Sequence, residues 1–239
     1  VSYLEGLANR GHEIRLLTFE TGRLTRKDRL DLRRRLAARR ISWTGLRYHK
    51  RPSLAATAID VACGALVCAF LVRRHDLQAV HARSHVPAAM ALLARRLARF
   101  ELIFDVRGLM AEEYEDAGRW SRNSPPWRLA KLVERRAIDA AAAIVVLTER
   151  VRDHLFPHGE QRSHVIPCCA DVERIQAAMV GRDPMRTRLG LDGHPVLIYV
   201  GKFTGWYLER EMVEFFARAR VTLPGLHFLI LTQSDPAPI

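Results

Sequence analysis

Segments with strand and helix patterns alternate along this chain, and near its end the alternation starts again. Residues 196–200 read as a strand, Gly201-Lys202-Phe203 as the turn after it, 209–220 as a helix and 226–231 as a further strand. The same alternation fills most of the preceding sequence. Strands that alternate with helices predict a doubly wound parallel sheet, a Rossmann-like α/β fold. Two such halves in one chain place a ligand in the cleft between them. Only the start of the second half is expected here. The predicted organisation is a first domain over 1–167, a connector over 168–194 and an incomplete second domain over 195–239.

Local patterns supply the elements. Apolar residues at 3, 4, 7 and 8 mark a first helix, closed by Gly11 and followed by a strand over 14–19. The basic run 27–40 has helical propensity, and a strand over 41–48 follows. Pro52-Ser53 opens a long helix through Arg74. Strands are expected at 78–81, 102–106, 144–147 and 165–167, with helices from Pro87 to Arg99 and from Pro125 onward. Residues Glu112, Glu113, Glu115 and Asp116 read as an acidic loop, and Thr148 as a helix cap. The stretch 144–147 is continuously apolar, as befits a strand covered on both faces. Short helical pieces are expected at 172–179 and 185–189.

Of 239 residues, 49% are apolar and 27% charged, the balance of a chain that builds a core. The chain starts with Val1, and residues 2–10 read as helix rather than as a secretory leader. It is therefore read as a fragment that has lost a first strand. Net charge is +12, and the segment 23–51 holds twelve Lys or Arg against Asp28 and Asp31. Arg33, Arg34, Arg35, Arg39 and Arg40 within it are candidates for facing an anionic membrane surface, with a plain solvated face as the alternative.

Residues 54–72 carry one charge, Asp60, in a helix-forming stretch of nearly membrane-spanning length. The stretch is alanine-rich and a strand follows within a few residues, which favours a buried helix packed on a sheet. Cys63 and Cys68 are five apart and Cys168 and Cys169 adjacent, so neither pair has a zinc or redox spacing. Reduced thiols in a cytoplasmic protein are expected.

In a doubly wound sheet, chemistry gathers at the carboxyl ends of strands. That rule selects Arg83, Ser84 and His85, then Asp105 to Gly108, Thr148 with Glu149, and Gly201 onward. The sequence has neither a P-loop, a G-x-G turn nor a G-x-S-x-G elbow. His81 and His85 are four apart, as are His154 and His158, but a strand end and Pro157 interrupt the helical face a metal site would need. No metal is expected. Gly201-Lys202 suits a phosphate, since glycine admits close backbone approach and lysine a compact charge. Arg107-Gly108 has the same logic, and the two turns together could face a diphosphate.

These segments resemble, in order, the family 4 glycosyltransferases of the GT-B fold. The resemblance is carried by Tyr3-Leu-Glu-Gly-Leu-Ala-Asn-Arg-Gly-His-Glu-Ile14, by His81-Ala-Arg-Ser84, by Ile144-Val-Val-Leu-Thr148, by Val165-Ile-Pro-Cys-Cys-Ala-Asp171 and by Tyr199-Val-Gly-Lys-Phe203. Asp105-Val-Arg-Gly-Leu109, Glu112-Glu-Tyr114 and Ala117-Gly-Arg-Trp120 are similar to one branch of the family. The resemblance implies transfer of a sugar from a nucleotide-sugar donor to a sugar or lipid-linked acceptor, with retention of configuration. The nucleotide-sugar is a substrate, and no cofactor is implied. Cell-surface polysaccharide synthesis, on the cytoplasmic side and peripheral to the inner face of the plasma membrane, would fit.

The resemblance assigns roles as well. Lys202 and Arg107 become candidate catalytic residues, Gly201, Lys202 and Phe203 donor contacts, and Arg83, Ser84, Asp105 and Gly108 the acceptor side or cleft. Two departures stand out. Arg107 occupies the place where many members have a histidine, and Gly205-Trp206-Tyr207 stand near the family's second lysine. The family's two donor-binding glutamates, eight positions apart, belong to a later part of the second domain. The fragment is therefore expected to lack a full donor site and to be inactive. Two alternatives stay open: a non-catalytic basic protein that binds nucleic acid or membrane, and a nucleotide-sugar epimerase of GT-B shape. Nucleic acid is not expected as a partner, because Trp43 and Tyr48 are the only aromatics in the basic run.

Overall fold

The structure is a computed structural model that describes residues 2–22, 24–49, 53–203 and 207–233. Arg23, Lys50 and Arg51 of the basic run, the helix opening at Pro52, and Gly205 and Trp206 lie outside the described residues. The chain forms two compact units, Val1–Cys169 and Ala170–Ile239. The break falls just after the expected end of the first domain, and the residues read as a connector group with the second unit.

The first unit runs α1 (Ser2–Asn9), β1 (Ile14–Glu20), α2 (Arg26–Ala37), β2 (Ile41–Arg47), α3 (Ser53–His75), β3 (Ala79–Arg83), α4 (His85–Ala94), β4 (Glu101–Asp105), α5 (Met110–Asp116), α6 (Pro125–Ala140), β5 (Ala143–Val146), α7 (Glu149–Leu155) and β6 (Ser163–Val165). All strand pairs are parallel: β1 with β2, and β3-β4-β5-β6 in that order. Among the described residues no ladder joins β1 to β3. The fold is the parallel α/β arrangement anticipated from the alternation.

Side-chain alternation divides the helices between the two faces of β1. Ile14 and Leu16 point into a cluster with Leu4, Leu32, Leu36, Ile41 and Trp43, contributed by α1, α2 and β2. The Trp43 indole donates to the Thr18 hydroxyl on that face at 2.9 Å. Phe19 points the other way and packs against the main core, where α3, α4, α6 and the central strands meet. Leu102, Phe104, Ile144 and Val146 are sealed there. Thr25 and Asp28 form a reciprocal capping box that starts α2, and Thr148 caps α7 as its sequence position predicted.

Two expectations need correction. Residues 112–116 belong to a helix, α5, not a loop. Its acidic first turn complements the helix dipole, and Trp127 and Lys131 of α6 hold Glu115 and Glu112 at 3.0 and 2.8 Å. The long helix α3 is buried on one side only. Ala56, Asp60, Ala65, Ala69 and Val72 face the core, and Gly64 leaves room for Met90, whose sulfur would lie 2.6 Å from an added Cβ. On the outer side Ile59, Leu66 and Phe70 are more than half exposed.

The second unit runs α8 (Val172–Ala178), a 3-10 turn, α9 (Arg182–Arg188), β7 (Val196–Val200), α10 (Glu209–Thr222) and β8 (His227–Leu231). Its two strands pair in parallel, from Val196 opposite His227 to Val200 opposite Leu231. Phe203, Phe216 and Phe228 make its aromatic centre.

Candidate active site

The carboxyl ends of β3 and β4 bring together the first group of residues selected from sequence. Arg83 pairs in register with Asp105, and the Ser84 N–H donates to the Asp105 carbonyl at 2.8 Å. The Asp105 side chain is buried. One of its oxygens sits 3.4 Å from His81 Nε2 and 3.9 Å from Arg83 Nε, while Oδ1 has no partner among the described residues. A buried carboxylate oxygen in that state is costly unless something else satisfies it. Arg83 keeps half of its side chain in solvent beside it.

The backbone here is strained. Ser84 and Arg107 have φ of 76° and 56°, a region that side chains other than glycine seldom occupy. The Gly108 N–H returns to the Val106 carbonyl at 2.6 Å, so Arg107 is the middle of a three-residue turn. The Arg107 guanidinium lies 3.4 Å from the Cys168 sulfur. At Gly108 an added Cβ would come 2.1 Å from Glu113 Oε1, so any side chain there must displace that carboxylate.

On the opposite face of β4 lies a buried polar chain that the sequence did not disclose. His85, at the first residue of α4, packs edge-on against Phe104, with ring centroids 5.9 Å apart. Its Nε2 is 3.1 Å from Glu134 Oε2, and its Nδ1 is buried without a partner among the described residues. Glu134 is also bonded to Lys131, which reaches on to Glu112. Burial alone would raise the Glu134 pKa, but hydrogen bonds from His85 and Lys131 and their charges together hold it below the usual range. Burial would likewise lower Lys131, and its two carboxylates more than reverse that. The sequence signals were the strand-end position of His85 and the spacing of Lys131 and Glu134 on a single helical face. The histidine pair 81/85 thus divides between two carboxylates on opposite faces of the sheet. Among the described residues no three His, Cys, Asp or Glu side chains are placed to share a metal ion.

In the second unit Gly201 follows β7, and its N–H bonds the Leu231 carbonyl at 3.0 Å. The Tyr199 hydroxyl donates to the Lys202 carbonyl at 2.7 Å, which fastens the turn to the strand. A Cβ on Gly201 would lie 3.2 Å from that hydroxyl. The Lys202 side chain is exposed. Phe203 differs from its neighbours in the turn. It is 2% exposed, with its ring against Tyr199 and Phe228, so it can offer a donor only main chain. Arg33, Arg34, Arg35, Arg39 and Arg40 are all exposed around α2, with Arg39 paired to Glu5 at 2.7 Å.

Residues 1–169 match the model of the family described as glycosyl transferase 4-like domain. Alpha-D-kanosaminyltransferase from Streptomyces kanamyceticus is 31% identical over 99 residues, 40% of this chain and 25% of that protein. Sucrose-phosphate synthase from Thermosynechococcus elongatus superposes with a TM-score of 0.59 at 15% identity, over 94% of this chain and 63% of its own. Anabaena HepE, solved in complex with UDP and glucose, gives 0.59 at 14% identity, over 92% and 61%. The match thus spans a quarter of the curated relative, and those over the two solved chains span less than two thirds. With the family match covering the whole first unit, and the parallel α/β fold shared with these structures, the chain belongs to the glycosyl transferase 4-like family.

Proposed function

We propose that this chain is the acceptor-side domain, and the beginning of the donor-side domain, of a sugar transferase. It serves transfer from a nucleotide-sugar to the hydroxyl of a sugar or lipid-linked acceptor, with retention at the anomeric carbon and without a cofactor. The observation that carries this reading is the family match over the entire first unit, whose strand ends hold Arg83, Ser84, Asp105, Arg107 and Gly108. The names of the relatives, a kanosaminyltransferase and a UDP-bound protein among them, support a nucleotide-sugar as donor.

The chemistry asks for charge stabilisation. As the bond from sugar to diphosphate breaks, the leaving group gains negative charge, and the exposed Lys202 side chain suits that charge. Asp105 is buried and flanked by His81 and Arg83, so it is suited to orient those two more exposed side chains, which would meet the hydroxyls of an acceptor. Arg107, in the turn after the neighbouring strand of the same unit, would hold the acceptor. We place the protein in the cytoplasm, peripheral to the inner face of the plasma membrane, in polysaccharide synthesis.

Saturation-transfer NMR with UDP-glucose at millimolar concentration tests this on the chain itself. Transfer to the nucleotide is expected, with uridine much weaker. Lys202→Ala should lower affinity about tenfold, the worth of one charge-assisted phosphate contact. No transfer, or transfer unchanged in Lys202→Ala, refutes the donor assignment.

A further inference from the structure

Two ordinary explanations exist for a long apolar helix, and α3 satisfies neither. Residues 55–75 have the length and hydropathy of a membrane span. Yet Ala65, Ala69 and Val72 belong to the core of the first unit, and Ala56 and Asp60 are buried as well. Asp60 also accepts the His49 N–H at 2.9 Å and faces the His49 ring at 2.6 Å, tying the helix to the segment before it. A helix held on one face by its own domain cannot be surrounded by lipid. A surface helix of a water-soluble domain, in turn, should carry polar residues outward. Here the outward stripe is Ile59, Cys63, Leu66 and Phe70, at successive helical turns, with exposures of 55%, 60% and 63% for Ile59, Leu66 and Phe70.

That stripe continues into a cationic rim. Leu66, Ala69, Phe70, Arg73, Arg74 and Leu97 line a recess of about 400 Å³. Beside it Arg95, Arg96 and Arg99, in the segment after α4, line a second recess with Arg73, and Asp76 is the one acidic residue there. Aliphatic and aromatic side chains flanked by several arginines are the composition of a helix lying in the lipid interface, where apolar groups enter the acyl boundary and cations meet phosphate.

We propose that the outer side of α3, with the arginine-rich segment after α4, docks the first unit on the surface of an anionic phospholipid bilayer. Charge complementarity selects this occupant. Two copies meeting through the face would bring arginines against arginines. A nucleic acid would waste the aliphatic stripe, which offers neither phosphate contacts nor stacking. The basic helix α2 is not part of the same surface. It packs on the Ile14 and Leu16 face of β1, whereas α3 packs on the Phe19 face, so a planar bilayer lying against one does not meet the other. The proposal does not depend on the donor assignment, because none of its residues belongs to the strand-end site.

Vesicle flotation with the chain measures it. Binding should be strong to vesicles of phosphatidylcholine with one third phosphatidylglycerol and weak to phosphatidylcholine alone. Arg73→Gln with Arg74→Gln should lower the partition constant about 30-fold, roughly fivefold per charge near an anionic surface. Leu66→Gln with Phe70→Gln should lower it at least as far. The triple change of Arg33, Arg34 and Arg35 to Gln should alter it less than threefold. All these side chains are exposed, and circular dichroism and melting check that each variant folds. Cys63, labelled with an environment-sensitive dye in a Cys168→Ser, Cys169→Ser background, should shift to the blue on anionic vesicles.

Equal binding to both vesicle types overturns the proposal. So does loss of binding in the α2 triple variant with the α3 variants unaffected. A dimer that Leu66→Gln with Phe70→Gln dissociates, with vesicle binding unchanged, would assign the face to a second copy. Binding to an RNA oligonucleotide that displaces vesicles and is lost in the same variants would assign it to nucleic acid.

Discussion

Replacing Lys131 with methionine removes the cation from a buried chain of charges and keeps nearly the same shape. Glu134 is then left, 3% exposed at its side chain, with only His85 Nε2 at 3.1 Å to answer its charge. Breaking a buried ion pair on one side costs about 3–5 kcal/mol. Lys131 retains a fifth of its exposure, so the low end, about 3 kcal/mol, is the appropriate value. For a unit of this size that is a fall in melting temperature of about 6–12 °C. The sign with pH follows from the carboxyl. Glu134 is held below its ordinary range in the folded protein, so its contribution is present above the unfolded pKa and disappears as pH falls through the folded one. The gap between wild type and Lys131→Met should therefore be full at about pH 7 and shrink towards about pH 3. Adding Glu134→Leu should recover most of the loss, less the cost of a histidine whose two nitrogens are then both unpaired. Denaturant unfolding of both variants at the two pH values is the assay. A loss under about 1 kcal/mol, or one of equal size at both pH values, would refute the network as a source of stability.

Cysteine reactivity and one exposed ion pair test the electrostatics elsewhere. Burial pushes the Cys68 thiol up to about 11, whereas Cys63, Cys168 and Cys169 are exposed, so a maleimide at neutral pH should modify those three quickly and Cys68 only on unfolding. Fast modification of all four in the folded protein would contradict the burial of that face of α3. Hydrogen bonds from the Arg162 side chain and its N–H hold the Glu160 carboxyl at about 2, and Arg162→Ala should return it towards the ordinary glutamate range when followed by NMR. A titration unmoved by the substitution would show that the pair does not form in solution.

Most of the fold was legible because it is written in local periodicity. A continuous apolar run such as Ile144 to Leu147, a cap such as Thr148 and a proline pair such as Pro125-Pro126 each act within a few residues. The strand ends followed from the rule that doubly wound sheets work at their carboxyl edges, and Arg83, Ser84 and Asp105 do come together there. Where the reading failed, the deciding partner was remote. Residues 112–116 look like an acidic loop until Trp127 and Lys131 are seen to hold them in α5.

The alternation of elements, the position of the glycine turns and the excess of arginine are properties of the sequence alone, because each is set by residues adjacent in the chain. Which side of α3 meets protein was decided by tertiary structure. All sides of that helix are apolar, so no periodicity distinguishes inside from outside. Small residues and Asp60 on one side permit close packing to the core, and the larger Ile59, Leu66 and Phe70 are left facing out. The coupling of His85, Glu134, Lys131 and Glu112 was decided in the same way. Those residues come from α4, α6 and α5, and only the packing of these helices turns four scattered polar residues into one buried chain.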